Sequence, residues 1–301
     1  MGREIAVTYI GGPTVLLEIE GVRFLTDPTF DEAGGEYTTG PVTLKKLAGP
    51  AIAVEALEPF DYVLLSHDHH FDNLDHGGRA ALARAKSVFM TREGAARLGG
   101  NSVGLRDWEE AVVPTPSGGE LAIVATPARH GPEGLDRGAV NGFVVRSKSD
   151  PACTVYITGD TVWYNGVSQV AKRFRVGIVF LHMGAARVPQ VGPFHLTMTA
   201  EEGVTTALEF PEATIVPIHF EDWAHFSQTK EDVAHAFANA HLEGRLRWPV
   251  RGETIRVPCE GKTDFTDSEQ ARASLFEFGG GERLASRSGR IFLARDDEKR
   301  A

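Results

Sequence analysis

The chain has 301 residues, of which 42% are hydrophobic, and its formal net charge is −10. This length and apolar content suffice for a substantial core, whereas the acidic balance disfavours a nucleic-acid partner, because binding phosphates needs clustered Lys and Arg. The N-terminus has neither a secretory signal nor a long apolar stretch, so we expect a cytoplasmic protein with no membrane partner.

The N-terminal residues are predicted to form a β-meander. Apolar runs separated by short turns indicate three strands, at residues 5–10, 14–19 and 22–26. The Gly- and Thr-rich residues 29–50 show no periodicity. We therefore predict a long loop there, lying at the mouth of a functional site.

A dense polar cluster follows the next apolar run, at residues 62–65. Its sequence is HDHHFDN (residues 67–73), and the candidate ligands in it are His67, His69, His70 and Asp72. Imidazole nitrogen and carboxylate oxygen both bind Zn²⁺ and similar divalent ions. The cluster favours a metal site, and the alternative is a solvated polar loop.

The rest of the chain alternates between predicted helices and strands, which is typical of an α/β fold. Helical composition occurs at residues 77–86, 92–98, 167–174, 199–209 and 230–241. Strands are predicted at residues 87–91, 107–113, 120–125, 139–146, 154–158, 176–181, 214–218 and 254–257. We expect two facing sheets with helices outside, one from residues 1–150 and one from 151–260.

Several predicted strands lead into a histidine or an aspartate. These residues are His67, His130, Asp160, His182 and His219. One histidine after a strand is more often structural, but the repetition predicts that these side chains converge on one pocket. His182 ends a wholly apolar strand, so we expect it to support the ligands instead of binding metal itself.

The last 41 positions differ from the rest in composition. Residues 261–301 are polar and Gly-rich, so the chain is divided into a domain at residues 1–260 and a flexible or loosely packed tail. Cys153 and Cys259 lie far apart without metal-ligand spacing. We expect both to be buried hydrophobic residues and not a disulfide.

The ordered series HDHHFD, His130, Gly159-Asp160 and His219 resembles the metallo-β-lactamase superfamily. The segments VYITGDTVWY, HLTMTAEEGV and IVPIHFEDW resemble its lactonase-like and phosphodiesterase-like branch, which includes ascorbate-6-phosphate lactonase and N-acylphosphatidylethanolamine phospholipase D. The resemblance implies an α/β fold, namely a four-layer αββα sandwich, with two divalent metal ions. Zinc is the first choice, and manganese and iron are alternatives.

The family pattern HxHxDH is not fully kept. The resemblance implies that His67, His130 and either His69 or His70 bind the first ion, while Asp72, Asp160 and His219 bind the second, with Asp160 bridging. Keeping the HxH part of the pattern selects His67 and His69 and displaces Asp72 by one residue. Keeping the HxD part instead selects His70 and Asp72 and puts Asn73 where the last histidine would be. The second site is then weaker, differently occupied or supplemented by another histidine.

The resemblance further implies a hydrolase that uses a metal-bound hydroxide on a small ester-like molecule, either a lactone or a phosphodiester. Asp72 or His195 would protonate the leaving group. The alternative is a non-catalytic metal-binding module of the same fold with a degraded second site, which Asn73 favours. The partner is expected to be a small-molecule substrate, and a homo-oligomer is left open.

Overall fold

The predicted N-terminal meander forms part of a seven-stranded sheet. The computed structural model describes residues 4–148 and 153–259. Numbered along the chain and given in spatial order, the strands are Thr254–Pro258 (β15), Glu4–Gly11 (β1), Thr14–Ile19 (β2), Val22–Thr26 (β3), Tyr62–Leu64 (β6), Ser87–Thr91 (β7) and Ser102–Leu105 (β8). Strands β15 to β3 are antiparallel, and β3, β6, β7 and β8 are parallel.

A second sheet has six strands. In spatial order they are Thr214–Ile218 (β14), Ile178–His182 (β13), Thr154–Ile157 (β12), Asn141–Ser147 (β11), Glu120–Pro127 (β10) and Glu110–Pro114 (β9). The first three are parallel and the rest antiparallel. The chain therefore passes from one sheet to the other between residues 105 and 110, and the predicted boundary near residue 150 is wrong.

Five α-helices cover the outer faces of the sheets within the described residues. They are His76–Ala81 (α1), Arg92–Leu98 (α2), Asn165–Arg173 (α3), Ala200–Glu209 (α4) and Lys230–Asn239 (α5). The first two pack beside the seven-stranded sheet, and the other three cover the six-stranded sheet. This arrangement confirms the predicted αββα sandwich.

The main hydrophobic core lies between the two sheets. Leu17 and Phe24 of one sheet and Ile123, Val155 and Ile178 of the other belong to a single buried cluster. Strands buried on both faces carry near-continuous apolar runs, which is why these strands could be predicted from sequence. Burial of this surface holds the strand ends in fixed positions relative to one another.

The predicted loop at residues 29–50 contains a hairpin. Its strands are Glu36–Thr39 (β4) and Val42–Lys45 (β5). Most of the hairpin is exposed, so its sequence lacks the alternation that marks a half-buried strand. The prediction that this segment has no regular structure is wrong, whereas its position at the mouth of a cavity is confirmed below.

The two cysteines form a disulfide, which corrects the expectation of unpaired thiols. Cys153 precedes β12 and Cys259 follows β15, so the bond joins the two sheets, with Cα atoms 4.8 Å apart. Both cysteines are buried in the core, as expected. Their separation of 106 residues carries no information about spatial distance, which explains the error.

Replacing Cys153 with serine is expected to lower the free energy of unfolding by about 2–5 kcal/mol, because the bond restricts the unfolded chain. Urea denaturation of the oxidised protein measures the change. The control compares the same variant with wild type in the presence of a thiol reductant. Under that condition the two proteins should differ little in stability. Equal stability of oxidised and reduced wild-type protein would contradict a structural disulfide.

In the part of the chain that the structure describes, no helix is long and apolar enough to cross a membrane. The predicted tail at residues 261–301 lies outside the described residues. The cytoplasmic location stays a prediction.

Candidate metal centre

Four loops that follow strands meet at one edge of the sandwich. They follow β6, β10, β12 and β14 and carry His67, His130, Asp160 and His219. Three groups of potential ligand atoms form there, each with all atoms within 4.8 Å of one another: His67, His69 and His70; His67, His130 and Asp160; and Asp72, Asp160 and His219. The structure therefore brings the predicted ligands together across both sheets.

Imidazoles dominate the first part of this cluster. His70 Nδ1 lies 3.0 Å from His67 Nε2 and 3.1 Å from His130 Nε2. His130 Nε2 is also 3.7 Å from Asp160 Oδ2. Three ring nitrogens and one carboxylate oxygen thus surround a common point, an arrangement that suits a first-row divalent ion.

Carboxylates dominate the second part. His219 Nε2 lies 3.3 Å from Asp160 Oδ1 and 3.6 Å from Asp72 Oδ2. Asp160 offers one oxygen to each part of the cluster, which is the geometry of a bridging carboxylate. We refer to His67, His70, His130, Asp72, Asp160 and His219 together as the cage.

Several cage atoms have no hydrogen-bond partner although they are buried. They are Asp72 Oδ1, Asp160 Oδ2 and both ring nitrogens of His219. Leaving buried polar atoms unpaired is unfavourable unless a ligand or ion pairs with them. The residues present therefore fit divalent metal ions.

Neighbouring groups fix how two of the imidazoles face the cage. His130 Nδ1–H donates to the Leu196 carbonyl over 2.9 Å, which leaves Nε2 as the bare nitrogen that a metal requires. His67 Nδ1 lies 2.9 Å from the hydroxyl of Ser66, and its Nε2 also points into the cage. Such partners orient ligating imidazoles.

The sequence leaves open whether His69 or His70 belongs to the cage, and the geometry favours His70. The Nε2–H of His69 donates to the Arg137 carbonyl over 2.7 Å, so this nitrogen is already paired. His70 instead points Nδ1 at two other imidazoles. His69 keeps Nδ1 as a bare nitrogen and belongs to one group of potential ligands with His67 and His70, so the choice of His70 rests on its two short contacts with other imidazoles.

Electrostatics differ between the two parts of the cage. Burial, together with the neighbouring imidazoles, holds the pKa of His67 well below its usual range and lowers that of His70 to about 3. Both are therefore neutral and ready to bind metal. Burial also opposes charge on His219, but Asp160 and Asp72 outweigh it and raise the pKa of His219 to about 10.

This raised pKa predicts a pH dependence in metal-free protein. His219 is charged in the folded state and has a pKa near 6.5 when unfolded, so its contribution to stability is complete below pH 6.5 and is lost as the pH rises through 10. We expect chelated wild-type protein to lose up to about 5 kcal/mol between these values. Denaturation in EDTA at a series of pH values measures this loss of stability. The His219→Gln variant should not show it. Identical pH profiles would contradict the prediction.

Backbone geometry explains why a glycine precedes Asp160. Gly159 has a φ of +61°, and a Cβ there would lie 2.5 Å from the Asn141 carbonyl oxygen. Only glycine fits this turn, which aims the next side chain into the cage. His219 also adopts a left-handed φ, of +57°, and such local strain is concentrated at functional sites.

Sequence reasoning missed Asp27 as a supporting residue. Its Oδ1 accepts the Ser66 N–H over 2.6 Å, next to His67, and its Oδ2 lies 3.2 Å from His182 Nε2. The only signal was its position after β3, in Asp27-Pro28. His182 itself is fully buried and outside the cage, which matches the expectation that it supports the ligands.

Two other predicted residues lie outside the cage. His195 Nε2 lies 3.1 Å from Glu202 Oε2, and Glu202 completes the capping box that starts α4. The structure does not bring His195 into the cage, and its role as a proton donor stays a prediction. Asp68 pairs with Arg97 of α2, which outweighs burial and lowers the pKa of the Asp68 carboxyl.

A cavity of about 200 Å³ opens above the cage. Its floor includes His70, Asp72 and His130. Its walls are largely apolar and come from the β4–β5 hairpin and from residues 186–196, namely Tyr37, Val42, Leu44, Ala186, Val188, Val191 and Leu196. Exposed Arg137 adds one positive charge at this cavity.

Residues 22–220 match the model of a family described as "Beta-lactamase superfamily domain". A UPF0173 metal-dependent hydrolase of Exiguobacterium is 27% identical over 253 residues, which are 81% of this chain and 96% of that protein. N-acyl-phosphatidylethanolamine-hydrolyzing phospholipase D 1 of Caenorhabditis elegans is 31% identical over 144 residues, 42% of this chain and 38% of that protein.

A solved structure provides a further comparison over most of the chain. The isothiocyanate hydrolase from Delia radicum gut bacteria is 27% identical and superposes with a TM-score of 0.71. The match covers 84% of this chain and 99% of that one. The similarity thus extends over most of the chain.

Proposed function

The chain belongs to the β-lactamase superfamily, and on this basis we propose that it is a metal-dependent hydrolase that binds two divalent ions in the cage and cleaves a small ester-like bond. The observation that carries the proposal is the set of buried, unpaired cage atoms, with Asp160 common to both halves.

Different residues of the chain would hold the two ions. His67, His70 and His130 would hold one ion, and Asp72, Asp160 and His219 the other. Two such ions lower the pKa of a bound water toward about 7 and polarise the bond under attack. Asp72 borders the cavity, which supports the proposal that its carboxyl group passes a proton to the leaving group.

The cavity supports a small substrate with an apolar body. Its volume of about 200 Å³ is below that of sites which bury drug-sized ligands. Lactones and small phosphodiesters are the substrate classes we propose. A small isothiocyanate is a further class, because the apolar walls suit it and the solved relative is named as a hydrolase of such compounds.

The test combines metal analysis with a substrate panel. Purified protein is assayed with lactones, nitrophenyl phosphodiesters and small isothiocyanates in the presence of Zn²⁺, Mn²⁺ or Fe²⁺. We expect two ions per chain and turnover of at least one class. At most one tightly bound ion and no turnover of any class would instead favour the non-catalytic metal-binding module.

His69 and His70 provide a matched pair of variants for the same assay. His70→Ala should lose metal and activity, because its Nδ1 faces two cage imidazoles. His69→Ala should keep both ions, since His69 is hydrogen-bonded to a backbone carbonyl. The opposite result would move the first site onto His69.

A further inference from the structure

Asn73 stands beside the second part of the cage and cannot replace an imidazole there. Its Nδ2–H donates to Asp160 Oδ1 over 3.2 Å and lies 3.5 Å from the Ser66 hydroxyl. An amide nitrogen that donates has no electron pair to offer a metal. His219 is therefore the sole imidazole among Asp72, Asp160 and His219, the second group of ligands.

His225 approaches the same group from another loop. Its Nε2 lies 3.0 Å from Asp72 Oδ2, and its side chain is 9% exposed. His225 also borders the cavity, as does Asp72. An imidazole thus reaches the second part of the cage from the loop after β14, 152 positions beyond Asn73 in the chain.

The surroundings of His225 hold its backbone and leave one ring nitrogen, Nδ1, without a partner. The His225 carbonyl accepts the Arg187 N–H over 2.8 Å, and its ring packs against Phe226 with centroids 4.6 Å apart. His225 Nδ1 is buried without a hydrogen-bond partner. In the metal-free structure Nε2–H donates to Asp72, so binding of a metal through Nε2 requires the ring proton to stand on Nδ1 instead, the nitrogen that has no partner among the described residues.

We propose that His225 supplies the imidazole that Asn73 does not, and that it binds the second ion together with Asp72, Asp160 and His219. This inference rests on the proposed function, because it needs a metal at the second site. Two imidazoles and two carboxylates form a ligand set suited to zinc, manganese or iron. Without His225 the second site would depend on His219 as its single imidazole.

The competing interpretation is that His225 only positions Asp72 through a hydrogen bond. His225→Gln separates the two, because a glutamine amide can still donate to Asp72 but replaces the imidazole nitrogen. Asn73→His adds a matched rescue, since it places an imidazole beside Asp160, where the Asn73 amide now lies. Exposed His235 on α5 provides a control substitution, His235→Ala.

The experiment removes metal with EDTA, titrates Zn²⁺ by calorimetry and counts bound ions by mass spectrometry. We expect two ions in wild type and His235→Ala. For His225→Gln and His225→Ala, the second ion should bind about a hundredfold more weakly or be lost. The double variant Asn73→His/His225→Ala should bind two again. Circular dichroism checks that each variant is folded.

Two different failures can be told apart. If His225→Gln and His225→Ala both bind two ions as tightly as wild type, the role of His225 is refuted and the proposed hydrolase stands. If folded wild-type protein binds fewer than two ions, the two-ion hydrolase and this inference fail together. Loss of the second ion in His225→Ala but not in His225→Gln would also overturn the ligand role and leave positioning.

Discussion

Replacing Asp160 with asparagine is expected to release both ions and to lower hydrolytic activity by about a thousandfold or more. Asp160 is the residue shared by the groups His67, His130, Asp160 and Asp72, Asp160, His219. A neutral amide at this position cannot balance two dications. Loss at both sites distinguishes this variant from substitutions that affect one half of the cage.

Metal counting and the substrate panel measure the effect of Asp160→Asn. Asp68→Asn is the matched control, because it removes a buried carboxylate nearby that pairs with Arg97 and does not belong to the cage. The control should keep both ions. Retention of two ions by Asp160→Asn would refute the bridging arrangement.

The second large effect concerns stability and follows from a buried ion pair beside the cage. Lys46 Nζ lies 2.6 Å from Asp75 Oδ2, and the two side chains are 2% and 0% exposed. Asp75 also accepts the backbone N–H groups of Phe30, Asp31 and Gly78 over 2.7–2.8 Å. The carboxylate therefore joins the β4–β5 hairpin, through Lys46, to the segment that carries the histidines.

Asp75→Asn is expected to lower the free energy of unfolding by about 3–5 kcal/mol, because it leaves the Lys46 ammonium buried without a counter-charge. Denaturation monitored by fluorescence measures the loss. The double variant Lys46→Met/Asp75→Asn should recover part of it, since the uncompensated charge is gone. A double variant that is less stable than Asp75→Asn would contradict this explanation.

The position of the cage could be predicted from sequence because each ligand follows an apolar run. Buried parallel strands place their carboxyl ends at one edge, so His67, Asp160 and His219 could be assigned to one pocket without coordinates. The choice between His69 and His70 could not be made this way. It depends on how the turn after β6 orients two adjacent rings, which composition does not encode.

Most features that sequence reasoning predicted wrongly or missed depend on contacts between distant parts of the chain. The β4–β5 hairpin is mostly exposed and is held by the Lys46 contact to Asp75, so no local pattern marks it. His225 lies seven residues after the end of β14, and its contact with Asp72 depends on the fold. The pairing of Cys153 with Cys259 likewise depends on the packing of the two sheets.

The bond between Cys153 and Cys259 closes 106 positions of the chain into a covalent loop. Asp160, His219 and His225 all belong to this loop. A protease that cuts once within it, for example at the exposed Arg187, opens the loop without separating the pieces. The nicked protein would migrate as one band on a denaturing gel and divide into two fragments only after a thiol reductant is added.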